Sequence, residues 1–382
     1  MAYENGNIRF AIDKLDKAIE NDPCNPSWYF NKGLALDSIS RFEEAIEQYR
    51  QAEEFSPYDL EILNCIAIDY TRTGQYDLAI EMFEHIQSLD NNFEPSYCNR
   101  IITYTEMGKH DQAEEMFYLA QQINPDCPIC FYNVGNSLFV RQDYRRAISC
   151  WEKTASLEPT HPQINYRIAQ AFWSTGNYEN ARQYFLRELR FNPADTDVIL
   201  DFGIFLLQTG DLDCAKEKFN RIIEFDPHFA PAYFYLGEIA LNNGNIDEAE
   251  KLFCKASEKD KTLPGPCFRL ARCAIINNRP GKAIEYLLCE LEKQVSDPEI
   301  LISMASMSLA LDETEIASHC LLRAVDIDPE NSNAYYYMGL LNAANKNPGT
   351  AAEFLRRCLE LNPDHPDAAR ILRSLNSVKS KN

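Results

Sequence analysis

Hydrophobic and polar positions in this chain repeat on two scales. On the short scale, apolar residues recur at i, i+3, i+4 and i+7, the stripe of an amphipathic helix. On the long scale the stripes return every 34 residues: alanine stands at 45, 79, 113, 147, 181, 215, 249, 283, 317 and 351, and one step further back is Ala11. With blocks opening at 26, 60, 94, 128, 162, 196, 230, 264, 298 and 332, other positions align. The eighth is Gly33, Ala67, Ile101, Gly135, Ala169, Gly203, Gly237, Ala271, Ala305 and Gly339. The thirty-second is Pro57, Pro125, Pro159, Pro193, Pro227, Pro329 and Pro363 in seven blocks, and Tyr49, Phe83, Phe117, Trp151, Phe185, Phe219 and Phe253 recur late in theirs.

Each block therefore predicts two amphipathic helices. Gly74, Gly108, Gly176, Gly210 and Gly244 end first helices by accepting the left-handed conformation. The late prolines stop second helices. Small residues at the eighth and twentieth positions let the two backbones approach, and the recurring aromatics are expected to fill the gap to the next block. One hairpin cannot bury its apolar faces alone, so the blocks must stack.

Composition changes this picture little. A chain of 382 residues exceeds one ordinary core, but a stacked array has no such ceiling. Hydrophobic content of 45% with 25% charged residues fits a folded, soluble protein. The formal charge of −21 argues against nucleic acid or an anionic membrane as partner. No apolar run approaches the roughly 18 residues that span a bilayer, and no basic segment with an apolar signal core opens the chain. The 13 scattered cysteines are then expected to be reduced thiols of a cytoplasmic protein.

The 34-residue pattern resembles the tetratricopeptide repeat, in ten full copies over residues 26–365. The resemblance implies an all-α, right-handed solenoid, a superhelix whose first helices line a concave face. Residues 1–25 read as a partial N-terminal repeat: 8–21 supply a second helix, and Met1 to Asn5 match only the tail of a first. Residues 366–382 read as a C-terminal capping helix, starting at Pro366, and a short tail. The eighth block departs from the pattern, with Asn278 at the turn glycine, Pro280 opening its second helix and Val295 at the terminal proline. A local change in the angle between blocks near 260–298 is expected there, though the helices should persist.

Candidate chemistry is sparse. Cys127-Pro128-Ile129-Cys130 is the one C-x-x-C. A structural zinc site needs four ligands, usually two such pairs, and His161, His228 and His365 lie in the turns of other blocks. Redox C-x-x-C motifs open a helix beside a strand, and no strand pattern is present. The stretch reads as an inter-repeat turn, with no metal. Glycine-rich phosphate loops, G-x-S-x-G and H-E-x-x-H are absent, so neither a cofactor nor an enzyme activity is expected.

Function is then expected from the concave face, at the second, fifth, sixth, ninth, twelfth and thirteenth positions, one helical stripe. The candidates are Tyr132, Asn133, Asn136, Phe139, Tyr166, Arg167, Gln170, Trp173, Tyr235, Glu238, Phe268, Arg269 and Arg272, joined by apolar Val140, Ile275 and Ile276. The amides suit a peptide backbone, which they can both donate to and accept from. The aromatics suit partner side chains, and the three arginines suit partner carboxylates. Fifth-position aromatics have a competing use, packing on a neighbouring helix. The resulting expectation is a protein-interaction scaffold or adaptor holding an extended or helical peptide, chiefly in blocks four to eight. Two alternatives stand beside it. One is the non-catalytic recruiting arm of a larger enzyme, suggested by Asn31, Asn99 and Asn133, which resemble the asparagine ladder of O-GlcNAc transferases. The other is a structural role in which an uncovered N-terminal edge makes homo-oligomers.

Overall fold

The computed structural model describes residues 2–379, with side chains for 8–375. Regular structure among these residues is helical, without a strand. By its internal contacts the chain divides into two units, Met1–Pro193 and Ala194–Asn382.

The first unit holds α1 (Ala2–Asn21), then five hairpins: α2 (Pro26–Asp37) with α3 (Phe42–Phe55), α4 (Leu60–Arg72) with α5 (Tyr76–Leu89), α6 (Glu94–Glu106) with α7 (His110–Ile123), α8 (Pro128–Val140) with α9 (Tyr144–Leu157), and α10 (Ile164–Ser174) with α11 (Tyr178–Phe191). The second unit holds five more: α12 (Thr196–Gln208) with α13 (Leu212–Phe225), α14 (Ala230–Asn242) with α15 (Ile246–Lys259), α16 (Pro266–Ile276) with α17 (Pro280–Leu291), α18 (Pro298–Ala310) with α19 (Thr314–Ile327), and α20 (Ser332–Ala344) with α21 (Pro348–Leu361). It closes with α22 (Ala368–Lys379). Each hairpin is one 34-residue block. In both units second helices pack on the first helix of the following repeat, and first helices touch one another, as α4 with α6 and α18 with α20. The backbone of α1 is continuous across Asn5, so the break expected there is not found. Within α1, half-buried Ile12 packs on the core of the first repeats, while Phe10 remains 62% exposed.

Local chemistry explains the helix starts. Asp59, Asp195, Asp297 and Asn331 each accept a hydrogen bond from backbone N–H groups of the first turn they precede. Proline opens α2, α8, α16, α17, α18 and α21, where its missing N–H leaves nothing unpaired. Between the helices of every repeat the fifteenth residue is left-handed. Gly74, Gly108, Gly176, Gly210 and Gly244 take this conformation freely. Ser40, Gln142, Asn278, Asp312 and Lys346 take it as well, so the hairpin imposes this geometry whichever side chain is present.

The late aromatics do more than fill the gap to the next block, where Phe117 meets Phe131 at 5.2 Å and Phe219 meets Tyr235 at 5.3 Å. They also turn back within their own repeat. A methyl placed on Gly33, Gly135, Gly203 or Gly237 would meet the ring of Tyr49, Trp151, Phe219 or Phe253 at 2.3, 2.5, 2.6 and 2.6 Å respectively. The eighth position is small because the ring of the second helix lies directly on the first helix's backbone. All four rings are buried, and they are the wedges about which the hairpins close.

Departures cluster in the eighth repeat. There α16 starts two residues into the block, after Gly265 at φ 106°. The carboxylate of Glu290, fully buried, accepts from the N–H groups of Gly265 (2.6 Å) and Phe268 (3.1 Å). Lys293 reaches Glu290 at 3.4 Å and donates to the Leu263 carbonyl at 2.8 Å. Arg323 donates to the carbonyls of Leu291, Lys293 and Val295, closing the segment that lacks its proline. A buried, fully hydrogen-bonded charge pair thus does the work that turn residues do elsewhere.

Candidate functional site

In the first unit most of the expected groove residues are engaged in packing. Asn133 is buried, and its amide donates to the Cys98 carbonyl at 3.0 Å, tying α8 to α6. Tyr132 packs at a tilt on His161, with ring centroids 4.4 Å apart. Phe139 packs on Tyr144 and Trp151 inside its own hairpin. Tyr166 and Trp173 both flank Phe185 at 6.2 Å. Arg167 lies within 3.5 Å of Gln170, and both are half-buried, as is Asn136. Val140 stands in solvent at 61% exposure. The reading of Asn133 as a peptide contact is therefore corrected, since its buried amide is committed to tying helices together, whereas Phe139 stays half-buried.

The second unit places its candidates differently. Tyr235 is stacked on Phe219 at 5.3 Å and is half-buried. Arg269 forms an ion pair with Glu238 at 2.7 Å, bridging α16 to α14. Burial raises the Glu238 carboxyl above its usual range, and Arg269 opposes that shift. Arg269 is thus largely neutralised, contrary to its reading as a free cation. Asn133 and Arg269 share a cause: the sixth position of a first helix points back at the preceding first helix, as Asn99 also does toward Asn64 at 3.1 Å. Phe268 is 7% exposed and belongs to the core, not the solvent-facing anchor expected.

What remains open is a recess of about 890 Å³ formed by the eighth, ninth and tenth repeats and the start of the last helix. Phe268 and Ile302 belong to its floor, and Arg269, Arg272, Ile275, Ile276, Ile300, Ser303, Ser306, Met307, Tyr336 and Tyr337 line it. Ile275 and Ile276 are 37% and 53% exposed. The acids at its margin have partners: Glu299 accepts from Asn331 at 3.0 Å, and Asp367 pairs with Arg370 at 2.6 Å. At its far side the Tyr336 ring packs at a tilt on His365, centroids 4.5 Å apart. The Ala368 N–H donates to His365 Nδ1, so its proton sits on Nε2, which faces Asn333 Oδ1 at 3.3 Å. Arg272 is exposed, and among the described residues it makes no hydrogen bond or ion pair. The recess thus offers, among the described residues, one cation without a hydrogen bond or ion pair, whose charge also acts on Glu238, beside an aliphatic and tyrosine-rich wall.

Sequence reasoning reached Phe268, Arg269 and Arg272 but missed Ile300, Ser303, Ser306, Met307, Tyr336 and Tyr337. The same positional rule that selected Arg272 selects Ser303, Ser306, Tyr336 and Tyr337 in the next two blocks. Attention to aromatic-rich middle repeats hid them.

The cysteines depart from uniform reduction: the structure joins Cys98 to Cys130 and Cys267 to Cys289. The free thiols of Cys65, Cys127, Cys150, Cys273 and Cys320 are each pushed up to about 11, chiefly by burial, which makes them poor nucleophiles. Among the described residues no helix is long and apolar enough to cross a membrane.

Comparison with known proteins agrees with this geometry. Residues 1–134 match the family described as Psidin, N-terminal TPR repeats region. Residues 132–196 and 309–366 match the tetratricopeptide repeat family. Residues 166–265 match the middle TPR-like domain of cilia and flagella-associated protein 70. Residues 266–308, where the pattern departs, fall outside these three. Among solved structures, yeast Tom70 is similar over 99% of this chain and 94% of its own, with TM-score 0.56 and 15% identity, a likeness of fold. YrrB, a TPR protein with an unusual peptide-binding site, is similar over 50% of this chain and 97% of its own (TM-score 0.39, 22% identity). A thermophilic TPR protein of Thermus thermophilus, TTC0263, is similar over 48% of this chain and 99% of its own (TM-score 0.43, 19% identity).

Proposed function

This chain belongs to the tetratricopeptide-repeat proteins, and from that premise we propose that it is a protein-interaction scaffold whose principal peptide seat is the recess of the eighth to tenth repeats. The observation that carries the reading is Arg272, an unpaired guanidinium on a strongly acidic chain, standing among Ile275, Ile276, Ile300 and Met307. Exposed aliphatic surface of this kind gains by being covered. A guanidinium offers a carboxylate two parallel hydrogen bonds. The matching partner segment is a short extended or helical peptide with a carboxylate flanked by aliphatic or aromatic side chains. The tyrosine hydroxyls and the serines supply further polar contacts at the rim.

Affinity capture from a lysate, followed by fluorescence anisotropy on peptides tiled from the captured proteins, tests this. Arg272→Glu combined with Ile276→Asp should weaken binding by about tenfold or more, while Arg145→Glu, on an exposed face of α9, leaves it unchanged. Equal binding by both variants would remove the recess as the seat.

A further inference from the structure

The C-x-x-C stretch straddles the third and fourth repeats and meets two partners from the opening of the third. Cys127 caps the start of α8, and its Sγ accepts from the Cys130 N–H at 3.4 Å. Facing it from α6, one helical turn apart, are Glu94 and Cys98. The Sγ atoms of Cys98 and Cys127 are 3.7 Å apart. Glu94 Oε1 lies 2.9 Å from Cys98 Sγ and 3.3 Å from Cys130 Sγ. The four ligand atoms fall within 4.8 Å of one another. All three cysteines are buried, and Glu94 is half-buried at the entrance.

We propose that, with Cys98 and Cys130 in their dithiol form, these four residues are a structural zinc site. A tetrahedral ion with Zn–S bonds of about 2.3 Å sets neighbouring sulfurs about 3.8 Å apart, close to the separation of Cys98 and Cys127. The Cys98–Cys130 disulfide and the metal are alternative uses of the same atoms. The disulfide leaves Cys127 with only its cap to the Cys130 N–H and Glu94 facing two sulfurs that carry no proton, whereas the metal employs all four. The Cα atoms of Cys98 and Cys130 are 5.0 Å apart, so turning the side chains about their Cα–Cβ bonds separates the sulfurs. Binding replaces three S–H bonds by three Zn–S bonds and releases three protons, and the Glu94 carboxylate supplies the fourth bond. The set carries four negative charges against two positive. The amide groups at the start of α8 point at it and offset part of the remainder. The second layer is in place as well: Asn133 holds the Cys98 carbonyl, and Thr154 Oγ1 donates to the Pro128 carbonyl at 3.3 Å. Such a site clamps the third repeat to the fourth at the inter-repeat turn, adding to the Asn133–Cys98 hydrogen bond and the Arg141–Asp111 ion pair that already join them.

The test is metal content and thermal stability of the full chain purified with a phosphine reductant and no chelator. Wild type should carry about one zinc per chain, and cobalt exchange should give the intense near-ultraviolet thiolate-to-metal band. Cys98→Ser, Cys127→Ser, Cys130→Ser and Glu94→Gln should each weaken zinc binding by at least about tenfold, whereas Cys24→Ser retains it. Added zinc should raise the Tm of wild type and not of Cys127→Ser. Loss of folding in a variant is separated from loss of a ligand by comparing each with chelator-treated wild type in circular dichroism. Reduced wild type that binds no zinc, or zinc content indifferent to Cys127→Ser and Glu94→Gln, overturns the proposal.

Discussion

Replacing Gly135 with alanine would ordinarily help a helix, by about 1 kcal/mol. Here it should do the opposite. The added methyl would sit 2.5 Å from Trp151 Nε1, 2.7 Å from Cδ1 and 3.0 Å from Cε2. The indole cannot step aside, because it is fully buried, donates to the Tyr132 carbonyl at 3.2 Å and packs on Phe139 at 5.6 Å. Forcing a methyl into such a contact costs about 1–3 kcal/mol, and losing the indole hydrogen bond adds about 1 kcal/mol. Set against the propensity gain, Gly135→Ala should destabilise by about 1–3 kcal/mol. The chain carries its own control, because Ala67 and Ala169 occupy the same position opposite phenylalanines, Phe83 and Phe185. Trp151→Phe should therefore cost stability in the native background and recover it in Gly135→Ala, with a coupling of about 1 kcal/mol or more. Urea unfolding followed by far-ultraviolet circular dichroism on the four proteins measures this. A neutral Gly135→Ala, or an additive double variant, would show that the ring is not wedged on the helix backbone.

Two further outcomes follow from the same coordinates. Gln142 and Lys346 hold the left-handed turn position at φ 65° and 59°; replacing either with glycine should stabilise by up to about 1 kcal/mol in thermal melts, Asn278→Gly should gain less, and no gain at all would mean the side chains repay the strain. Asp69 is buried beside Asp37, and chiefly burial and then Asp37 push its carboxyl up to about 6, Arg72 opposing. Its folded value exceeds its unfolded one, so the folded chain binds the additional proton between pH 4 and 6, and stability falls as pH rises through that window and stays lower at neutrality. Asp69→Asn should then raise stability at pH 7.5 by about 1–3 kcal/mol and far less at pH 4.5; an equal gain at both would reject the assignment.

The repeat length, the hairpins and the helix starts were legible because each depends on residues close in sequence: a stripe, a cap, a proline. The left-handed turn was half legible. Glycine announces it at five repeats, but Ser40, Gln142, Asn278, Asp312 and Lys346 adopt it under constraint from helices on either side, which no local signal records. The direction of the aromatic rings was half legible: Phe117 and Phe219 do reach the next repeat, but periodicity says only that Trp151 is buried and not on which backbone it lies. Asn133 and Arg269 were misassigned for a related reason: a sixth-position residue looks solvent-facing on its own helix and is claimed by the preceding one. Glu290 is a buried acid at an apolar position, intelligible only once Gly265 and Lys293 stand beside it. The cysteine cluster was invisible as a motif because half of its ligands, Glu94 and Cys98, lie at the opening of the third repeat, a whole hairpin before Cys127.

In four repeats the glycine and the ring that lock the hairpin lie 16 residues apart within one 34-residue copy, as Gly135 and Trp151 do. A duplication that inherits the whole copy brings socket and plug together, so an array can lengthen or shorten by one unit without re-matching its tightest fit. Drift of the ring is then contained within that copy: glycine faces tyrosine, tryptophan or phenylalanine at Gly33, Gly135 and Gly203, whereas Ala67 and Ala169 face phenylalanines.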